Sequence, residues 1–498
     1  MIVKIISFII CFSLLLSKTT PCQTESVEEN SLPEQELLRV SEPVESIITD
    51  LKEFIPEYIR NENIPGVGIA LIYEGKIVWT EGFGVTNTIT GEPVTSNTLF
   101  EVASCSKVVT AYMALRLVDE DKISIDQSLH SYLTEDWMPP STYRDSIKLR
   151  HVTSHSSGLS KTTEEIMFEP GTAYYYSANG FNLLEEVMEE VSGESFEELA
   201  QKLVFKPIGM KNSSFIKLDN LTSYTANGHI HALAPLIIFG ILYTVLFFIV
   251  LLIGLIIKRV RTKSWKIKRS HIFIVLVITF VILSSALFIL LNLVSLLEFA
   301  WLLVISGLIS LALFLILFYI GRVFILQRFS KRKTLHRILS VAWSLILITG
   351  IVYISANIVN LPVPSWTDYD ASPAGTLRTS AQELAMFMIE LSDPQFLSTE
   401  TVDYLRTPQI KLSDNLSWGM GPGILHSEQG YALWQWGQHV DFQTIMIIYP
   451  EYKFGVVVCT NNDLLNPDVA LEIAHRALGG LEEPLRMAIH LQYDYKEQ

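Results

Sequence analysis

Four long apolar stretches in the middle of the chain constrain its architecture more than any other feature of the sequence. They cover about Ala234–Ile257, His271–Val294, Phe299–Ile320 and Ile338–Leu361. Each is close to the ~20 residues that an α-helix needs to cross a lipid bilayer. Residues 234–361 therefore predict a four-helix transmembrane insertion within a longer chain.

The loops between these stretches predict how the insertion is oriented. Loops 258–269 and 321–337 carry seven and six Lys/Arg residues and no acidic residue, whereas the turn at 295–298 is short and contains Glu298. Short basic loops stay in the cytoplasm. An even number of spans returns the chain to the side that it left, so we expect residues up to 233 and from 362 onward to lie on the extracytoplasmic side.

The rest of the chain is strongly acidic. Of the 37 Lys/Arg and 52 Asp/Glu residues, thirteen basic residues and one acidic residue lie in 234–361. The remainder carries 24 basic and 51 acidic residues, a formal net charge of −27. Nucleic-acid binding needs Lys and Arg to neutralise phosphates, so this balance argues against such a partner.

The two ends of the chain and its cysteines add three expectations. Residues 1–22 predict a secretory signal peptide, with an uncleaved anchor as the alternative, and residues 23–43 a polar linker. Residues 481–498 are expected to form a C-terminal tail. There are four cysteines in all, and Cys105 and Cys459 fall in apolar stretches, which favours buried free thiols over a disulfide framework.

The stretch Phe100–Leu117 carries the first candidate chemistry. It has the pattern of a buried helix and places Ser104 and Lys107 three residues apart at its beginning, on one face. A desolvated Lys can take the proton of a Ser hydroxyl and make it a nucleophile. Helix N-terminal N–H groups can stabilise the negative charge that then develops. The spacing alone is common, and taken by itself it favours two solvated helix residues over a catalytic pair.

Several other stretches predict regular structure on either side of the insertion. Two hairpins are expected where turn residues separate two β-rich runs, a helix where apolar residues recur with helical spacing, and a capping box at Ser380 with Glu383 three residues later. The predicted elements are strands Val67–Tyr73 and Lys76–Thr80, strands Thr444–Tyr449 and Phe454–Cys459, and helices Val44–Ile59 and Pro467–Leu478.

A succession of short motifs resembles the serine β-lactamase and DD-peptidase superfamily, most closely class C β-lactamases and their esterase and carboxypeptidase relatives. The motifs are S-C-S-K at 104–107, H-S-S-G-L at the end of 150–159, Pro170-Gly171, Tyr176-Ser177, and K-P-I-G-M at 206–210. The resemblance implies an α+β fold, an antiparallel sheet flanked by helices. The domain would be built from 44–233 and 362–480 and interrupted by the insertion.

The resemblance also implies the roles of individual residues. Ser104 would be the nucleophile, and Lys107 with Tyr176 would move its proton. Gln435-Trp436-Gly437 stands where the family has K-T-G or H-x-G, a motif whose first residue contacts the substrate carboxylate, so Gln435 and Gly437 would lie at the substrate. The N–H groups of Ser104 and Gln438 would form the oxyanion hole.

Two positions depart from the family pattern. Where the family has Asn two residues after the Tyr, this chain has Ala178, so either Asn179 serves or the substrate-binding amide is absent. Gln435 carries no charge, which argues against anionic substrates such as penicillins. His439 lies nearby and either compensates or is an ordinary loop residue.

No cofactor or metal is expected. His151 and His155 have the i, i+4 spacing of zinc ligands, but no Glu follows His151 as in H-E-x-x-H, and the resemblance makes this segment a structural turn.

The sequence thus supports a membrane-anchored extracytoplasmic serine hydrolase acting on ester, amide or lactam carbonyls of small molecules or peptides. The alternative is a non-catalytic sensor on the same fold, and a transporter would need mid-span polar groups that the sequence lacks. The oligomeric state stays open.

Overall fold

The computed structural model describes residues 38–161, 163, 165–218, 221, 224–231, 360–363, 371–427, 430–462 and 468–479. The predicted signal peptide, most of the linker, the four predicted spans up to residue 359, and the C-terminal tail lie outside the described residues. None of the helices within the described ranges is long and apolar enough to span a membrane.

An antiparallel sheet of eight strands is the main element of the described fold. The strands of the sheet are β1 (Gly66–Tyr73), β2 (Lys76–Gly84), β7 (Ile410–Lys411), β8 (Leu416–Trp418), β9 (Gly423–Ser427), β10 (Gly430–Gln438), β11 (Gln443–Tyr449) and β12 (Phe454–Thr460). Their order across the sheet is β2-β1-β12-β11-β10-β9-β8-β7, with β1 paired to β12 and β10 to β11. Two short pairs complete the strands: β3 (Phe100–Glu101) with β6 (Arg378–Thr379), and β4 (Gly228–His231) with β5 (Asn360–Val363).

The helices lie on both faces of this sheet and in a helical region beside it. They are α1 (Val44–Asn61), α2 (Ser106–Asp119), α3 (Leu149–Thr153), α4 (Asn179–Ser192), α5 (Phe196–Ala200), α6 (Lys206–Ile208), α7 (Ala381–Ser392), α8 (Thr399–Arg406) and α9 (Val469–Leu478). Short 3₁₀ turns occur at Arg39–Ser41, Ala103–Cys105, Leu129–Tyr132 and Arg144–Ser146, and a π-helical turn at Gln201–Phe205.

The central strands are apolar on both faces because each face packs against helices. In β11, Ile445 and Ile447 belong to a core shared with α1 and α9. Met446 and Ile448 belong to a second core shared with α2 and α7. Side chains alternate between the faces of a strand, so a continuous apolar run is what a doubly covered strand requires. The predicted strands and the two predicted outer helices are confirmed.

The first hairpin follows from its turn residues. Glu74 and Gly75 have φ values of 51° and 73°, the left-handed conformation that a tight two-residue hairpin turn needs. The predicted capping box is confirmed in half. Ser380 Oγ accepts the N–H of Glu383, but the Glu383 carboxylate instead accepts the N–H of Asn212 and the hydroxyl of Ser213.

Helix α2 is the centre of the helical region. Eleven of its fourteen residues are buried, and it lies against α4, α5, α8 and the π-helical turn. A helix that is apolar around most of its circumference can only be stable when it is enclosed in this way. Its first turn, which carries Lys107, is therefore held on all sides.

Strands β4 and β5 bring the two parts of the domain together at the insertion. His231 pairs with Asn360 and Gly228 with Val363 in an antiparallel register. The chain therefore leaves and re-enters the folded domain at adjacent positions. Residues 360 and 361, which the prediction places at the end of the insertion, belong to β5.

Candidate active site

A sharp turn between β3 and α2 presents Ser104. Ala103 has φ 46°, in the left-handed region that non-glycine residues rarely adopt. Residues Ala103–Cys105 then form a 3₁₀ turn, so Ser104 precedes α2 and does not lie within it. The neighbours Ala103 and Cys105 are buried while Ser104 is partly exposed. The turn thus directs one hydroxyl outward from an otherwise enclosed segment.

Lys107 lies directly beneath that hydroxyl. Its Nζ donates to Ser104 Oγ at 3.1 Å and to the carbonyl of Ala374 at 2.7 Å, and its side chain is almost completely buried. Burial lowers the pKa of Lys107 to about 7, since no carboxylate offsets the loss of solvation. A substantial part of the amine is therefore uncharged near neutral pH and can accept a proton from Ser104.

Tyr176 completes a group of three. It lies in the irregular segment before α4, and Lys107 Nζ stands 5.1 Å from the centre of its ring. The Tyr176 hydroxyl accepts a hydrogen bond from Gln435 Nε2 at 3.3 Å. The structure thus brings together three residues that are 3 and 69 positions apart in the sequence, together with a fourth from the sheet.

The end of β10 passes along the nucleophile turn. Strand β9 pairs with β10 only as far as Trp434, so residues 435–438 continue beside the 3₁₀ turn. A Cβ on Gly437 would stand 2.1 Å from the carbonyl oxygen of Val102. Only glycine permits this close approach of the end of β10 to the turn that carries Ser104.

Gln435 occupies a different environment from the one that its sequence position predicts. It is fully buried, and its Nε2 donates to Tyr176 Oη and to the carbonyl of Trp436 at 2.9 Å. Its amide protons are thus directed to the tyrosine and to the backbone. The Gln435 side chain is thus closed off from solvent, and its role at a substrate carboxylate stays a prediction.

Asn179 is likewise committed within the protein. It is the first residue of α4, and its Nδ2 donates to the carbonyls of Ser160 and Thr163, both at 2.9 Å. Ala178 precedes it at the end of the loop. Of the two alternatives left by the sequence, this arrangement favours the absence of a substrate-binding amide.

His439 is held by a buried carboxylate. Glu101 accepts from His439 Nδ1 at 3.3 Å and from Arg378 Nη2 at 3.4 Å. The other ring nitrogen, Nε2, lies 3.2 Å from the position that a Cβ on Gly375 would occupy. Gly375 directly follows Ala374, whose carbonyl accepts a hydrogen bond from Lys107. The sequence reasoning named His439 but missed Glu101, whose partner is 338 residues away.

The two histidines of the H-S-S-G-L segment have separate environments. His151 Nδ1 accepts the N–H of Lys148 at the start of α3, and burial lowers its pKa to about 4. His155 instead packs against Tyr176, with ring centres 4.0 Å apart. Sequence reasoning assigned both to a structural turn and so missed the contact of His155 with the site. The position of the motif just ahead of Tyr176 was the available signal.

Comparison with known proteins finds similar sequences among β-lactamases and a D-aminopeptidase. Residues 47–236 match the family model described as Beta-lactamase. The β-lactamase of Providencia stuartii is 28% identical over 196 residues, 36% of this chain and 50% of that protein. The D-aminopeptidase of Gluconobacter oxydans is 26% identical over 175 residues, 30% of this chain and 32% of that protein. The aligned parts thus span half or less of these two relatives.

Solved structures share the fold at low sequence identity. The octameric penicillin-binding protein homologue from Pyrococcus abyssi superposes with a TM-score of 0.56 at 17% identity, covering 89% of this chain and 77% of that one. The D-alanine carboxypeptidase AmpC from Burkholderia cenocepacia gives 0.54 at 14% identity, covering 88% and 100%. Together with the family match over residues 47–236, these likenesses show that the described domain has a β-lactamase-like α+β fold.

Proposed function

We propose that the protein is a serine hydrolase that forms an acyl-enzyme on Ser104. The observation that carries this proposal is the buried Lys107 amine, 3.1 Å from Ser104 Oγ, with its pKa lowered to about 7. A buried amine without a carboxylate partner costs stability. This cost in stability is offset by function, because the uncharged amine activates the partly exposed Ser104 as a nucleophile.

The reaction follows from the contacts. Ser104 Oγ attacks the substrate carbonyl carbon while its proton passes to Lys107 Nζ. The N–H groups of Ser104 and Gln438 hold the oxyanion. When the tetrahedral intermediate collapses, the bond to the leaving group breaks and the proton reaches that group by way of Tyr176. Water then attacks the acyl carbon and gives one of its protons to Lys107, and as the bond between that carbon and Ser104 Oγ breaks, Lys107 passes this proton to Ser104.

The substrates we propose are esters, amides or lactams of small molecules or peptides. Gln435 directs its amide toward Tyr176, and Asn179 toward the loop at 160–163, so two groups that the family resemblance assigns to the substrate are used elsewhere. This supports substrates other than penicillins. The range agrees with relatives named as a β-lactamase and a D-aminopeptidase.

We also propose that the domain is anchored to a cell membrane and faces the extracytoplasmic side. The support is the hydropathy of residues 234–361 and the seven and six Lys/Arg residues of its two long loops. The antiparallel pairing of β4 with β5 adds to it. An insertion with an even number of spans needs its ends on one side, and these strands hold the ends next to each other.

Covalent labelling tests the hydrolase proposal. The wild type, Ser104→Ala and Lys107→Ala would be incubated as full-length protein in membranes with a fluorescent fluorophosphonate and, separately, with a fluorescent penicillin. We expect fluorophosphonate labelling of the wild type, none of Ser104→Ala, and at least about a hundredfold slower labelling of Lys107→Ala. Folded wild type that takes up neither probe would refute the proposal.

A second candidate is a ligand-binding sensor on the same fold. The committed amides of Gln435 and Asn179 favour it, because they remove two groups from substrate recognition. The test is the reaction with chromogenic esters. A fast burst of released chromophore that is not followed by turnover would mean that the acyl group stays on the protein, and this would favour the sensor.

A further inference from the structure

Tyr176 lies in a segment without regular secondary structure, although the proposed proton transfer needs its hydroxyl at a fixed place. Residues 174–177 belong to neither helix nor strand. No ladder of backbone hydrogen bonds therefore fixes the ring. Contacts from outside the segment have to do so, and His155 makes several of them.

His155 contacts the segment in three ways. Its carbonyl accepts the N–H of Tyr175 at 2.7 Å, and its Nδ1 accepts the N–H of Ser177 at 3.3 Å. Its ring lies against the Tyr176 ring at 4.0 Å with an interplanar angle of 31°. His155 thus holds the N–H groups of the residues before and after Tyr176, one with its carbonyl and one with its side chain, and its ring packs against the Tyr176 ring.

The protonation of His155 suits this role. Because Nδ1 accepts from a backbone N–H, the single proton of the neutral ring is on Nε2. Burial, and next the charge of Lys107, hold the pKa of His155 well below its usual range. Aromatic rings surround the imidazole at 5.2 Å for Trp418 and 5.5 Å for Phe181. Near neutral pH the His155 ring therefore adds no positive charge of its own beside Lys107.

The backbone of His155 shows that this placement has a cost. Its φ is 57°, in the left-handed region that non-glycine residues rarely occupy. Such conformations persist where surrounding contacts determine them, and they cluster at functional sites. Gly158, three residues later, takes the same region in the same turn, yet the position beside Tyr176 is a histidine.

We propose that His155 is the positioning residue of the site, holding the Tyr176 hydroxyl between Gln435 Nε2 and Lys107. This inference rests on the proposed hydrolase function for its kinetic consequence, but the positioning itself can be measured without activity. His155 does not touch the reacting atoms. It acts through Tyr176.

The direct test is the environment of the Tyr176 ring. Full-length protein in detergent would carry 3-fluorotyrosine at position 176, and its ¹⁹F resonance would be recorded in the wild type, His155→Asn and His155→Phe. Asn tolerates the left-handed conformation and keeps an acceptor for Ser177, but loses the ring. Phe keeps a ring and loses the acceptor. We expect both resonances to shift toward that of free 3-fluorotyrosine. His151→Asn, the matched control in the same segment, should leave the resonance unchanged.

The kinetic test is a double-mutant cycle on fluorophosphonate labelling. His155→Asn should slow labelling about tenfold or more, but should add no further loss in a Tyr176→Phe background, because the hydroxyl that it positions is then gone. Losses that multiply in the double variant, or a ¹⁹F resonance unmoved in both His155 variants, would overturn the inference. Wild type that fails to label would refute the hydrolase proposal instead, and the ¹⁹F comparison would still decide this one.

Discussion

A single buried amine determines most of the chemistry of the candidate site. Lys107 has two hydrogen-bond partners, Ser104 Oγ and the Ala374 carbonyl, and neither carries a charge. Desolvation is the largest cause of its lowered pKa. The same residue therefore sets the pH dependence of activity and carries a stability cost, and these two effects can be measured separately.

The first prediction concerns activity. Labelling of Ser104 by a fluorophosphonate should accelerate as the pH rises through about 7, because the uncharged amine is the base. Lys107→Gln should be slower by about 10²–10⁴ and lose this inflection. Lys122→Gln, which removes a surface lysine paired with Glu120, is the control. A wild-type rate that stays flat between pH 6 and 9 would show that Lys107 is not the base.

The second prediction concerns stability. Between pH 7 and 10.5 the unfolded chain holds the Lys107 proton more tightly than the folded one, so folding of the wild type should become more favourable as pH rises through this window. Relative to Lys107→Met, the gain should be at most about 1.4 kcal/mol per pH unit. Below pH 7 the difference between the two proteins should be constant. Denaturant melts at pH 6, 7.5 and 9 measure it, and a difference that does not vary with pH would contradict the account.

At the scale of elements, the close approach of β10 to the nucleophile turn assembles the site. Gly437→Ala places a Cβ 2.1 Å from the Val102 carbonyl oxygen, so the strand and the turn must separate. We expect a loss of about 1–3 kcal/mol in unfolding free energy and loss of labelling.

Gly91→Ala is the control for that substitution. Gly91 has φ 71° but nothing within 4 Å of the new Cβ, so this variant should lose about 1–2 kcal/mol and keep its labelling rate. Equal labelling rates for the two alanine variants would show that the β10 contact does not form the site.

The elements themselves were largely predictable. Local rules sufficed for the β1–β2 hairpin, because Glu74-Gly75 marks its turn, and for β11 and β12, because their apolar runs need helices on both faces. Ser104 and Lys107 were identifiable because their i, i+3 spacing occurs together with the other motifs of the family. The environments of Gln435 and Asn179 were not predictable, since each depends on partners brought close only by the tertiary fold. Tyr176 and Gln435, for example, are 259 residues apart.

At the scale of the whole molecule, the pairing of β4 with β5 predicts that the folded domain is continuous without residues 232–359. His231 and Asn360 are paired, so an Asn-Gly dipeptide joining them would make an ordinary two-residue hairpin. We expect this shortened protein to fold, to stay in solution without detergent, and to label at Ser104 as the full chain does. Aggregation or loss of labelling would mean that the removed segment completes the domain.

The predicted division of the chain into an insertion and an acidic remainder rests on composition. Residues 234–361 contain thirteen Lys/Arg residues, whereas the rest of the chain has a formal net charge of −27. Hydropathy locates such a boundary to within a few residues only. The part of β5 at residues 360 and 361 was not predictable, because strand pairing between distant segments leaves no local pattern.

The central claim is that Ser104 is the nucleophile that forms the covalent intermediate. Mapping of the phosphonyl adduct that a fluorophosphonate leaves on that nucleophile tests this claim most directly. Full-length protein would be treated with a fluorophosphonate, digested and analysed by mass spectrometry, beside Ser104→Ala and a Ser106→Ala control. The account predicts one adduct, on Ser104, that is absent from Ser104→Ala and present in Ser106→Ala. An adduct on another serine, or none on folded wild type, would contradict it.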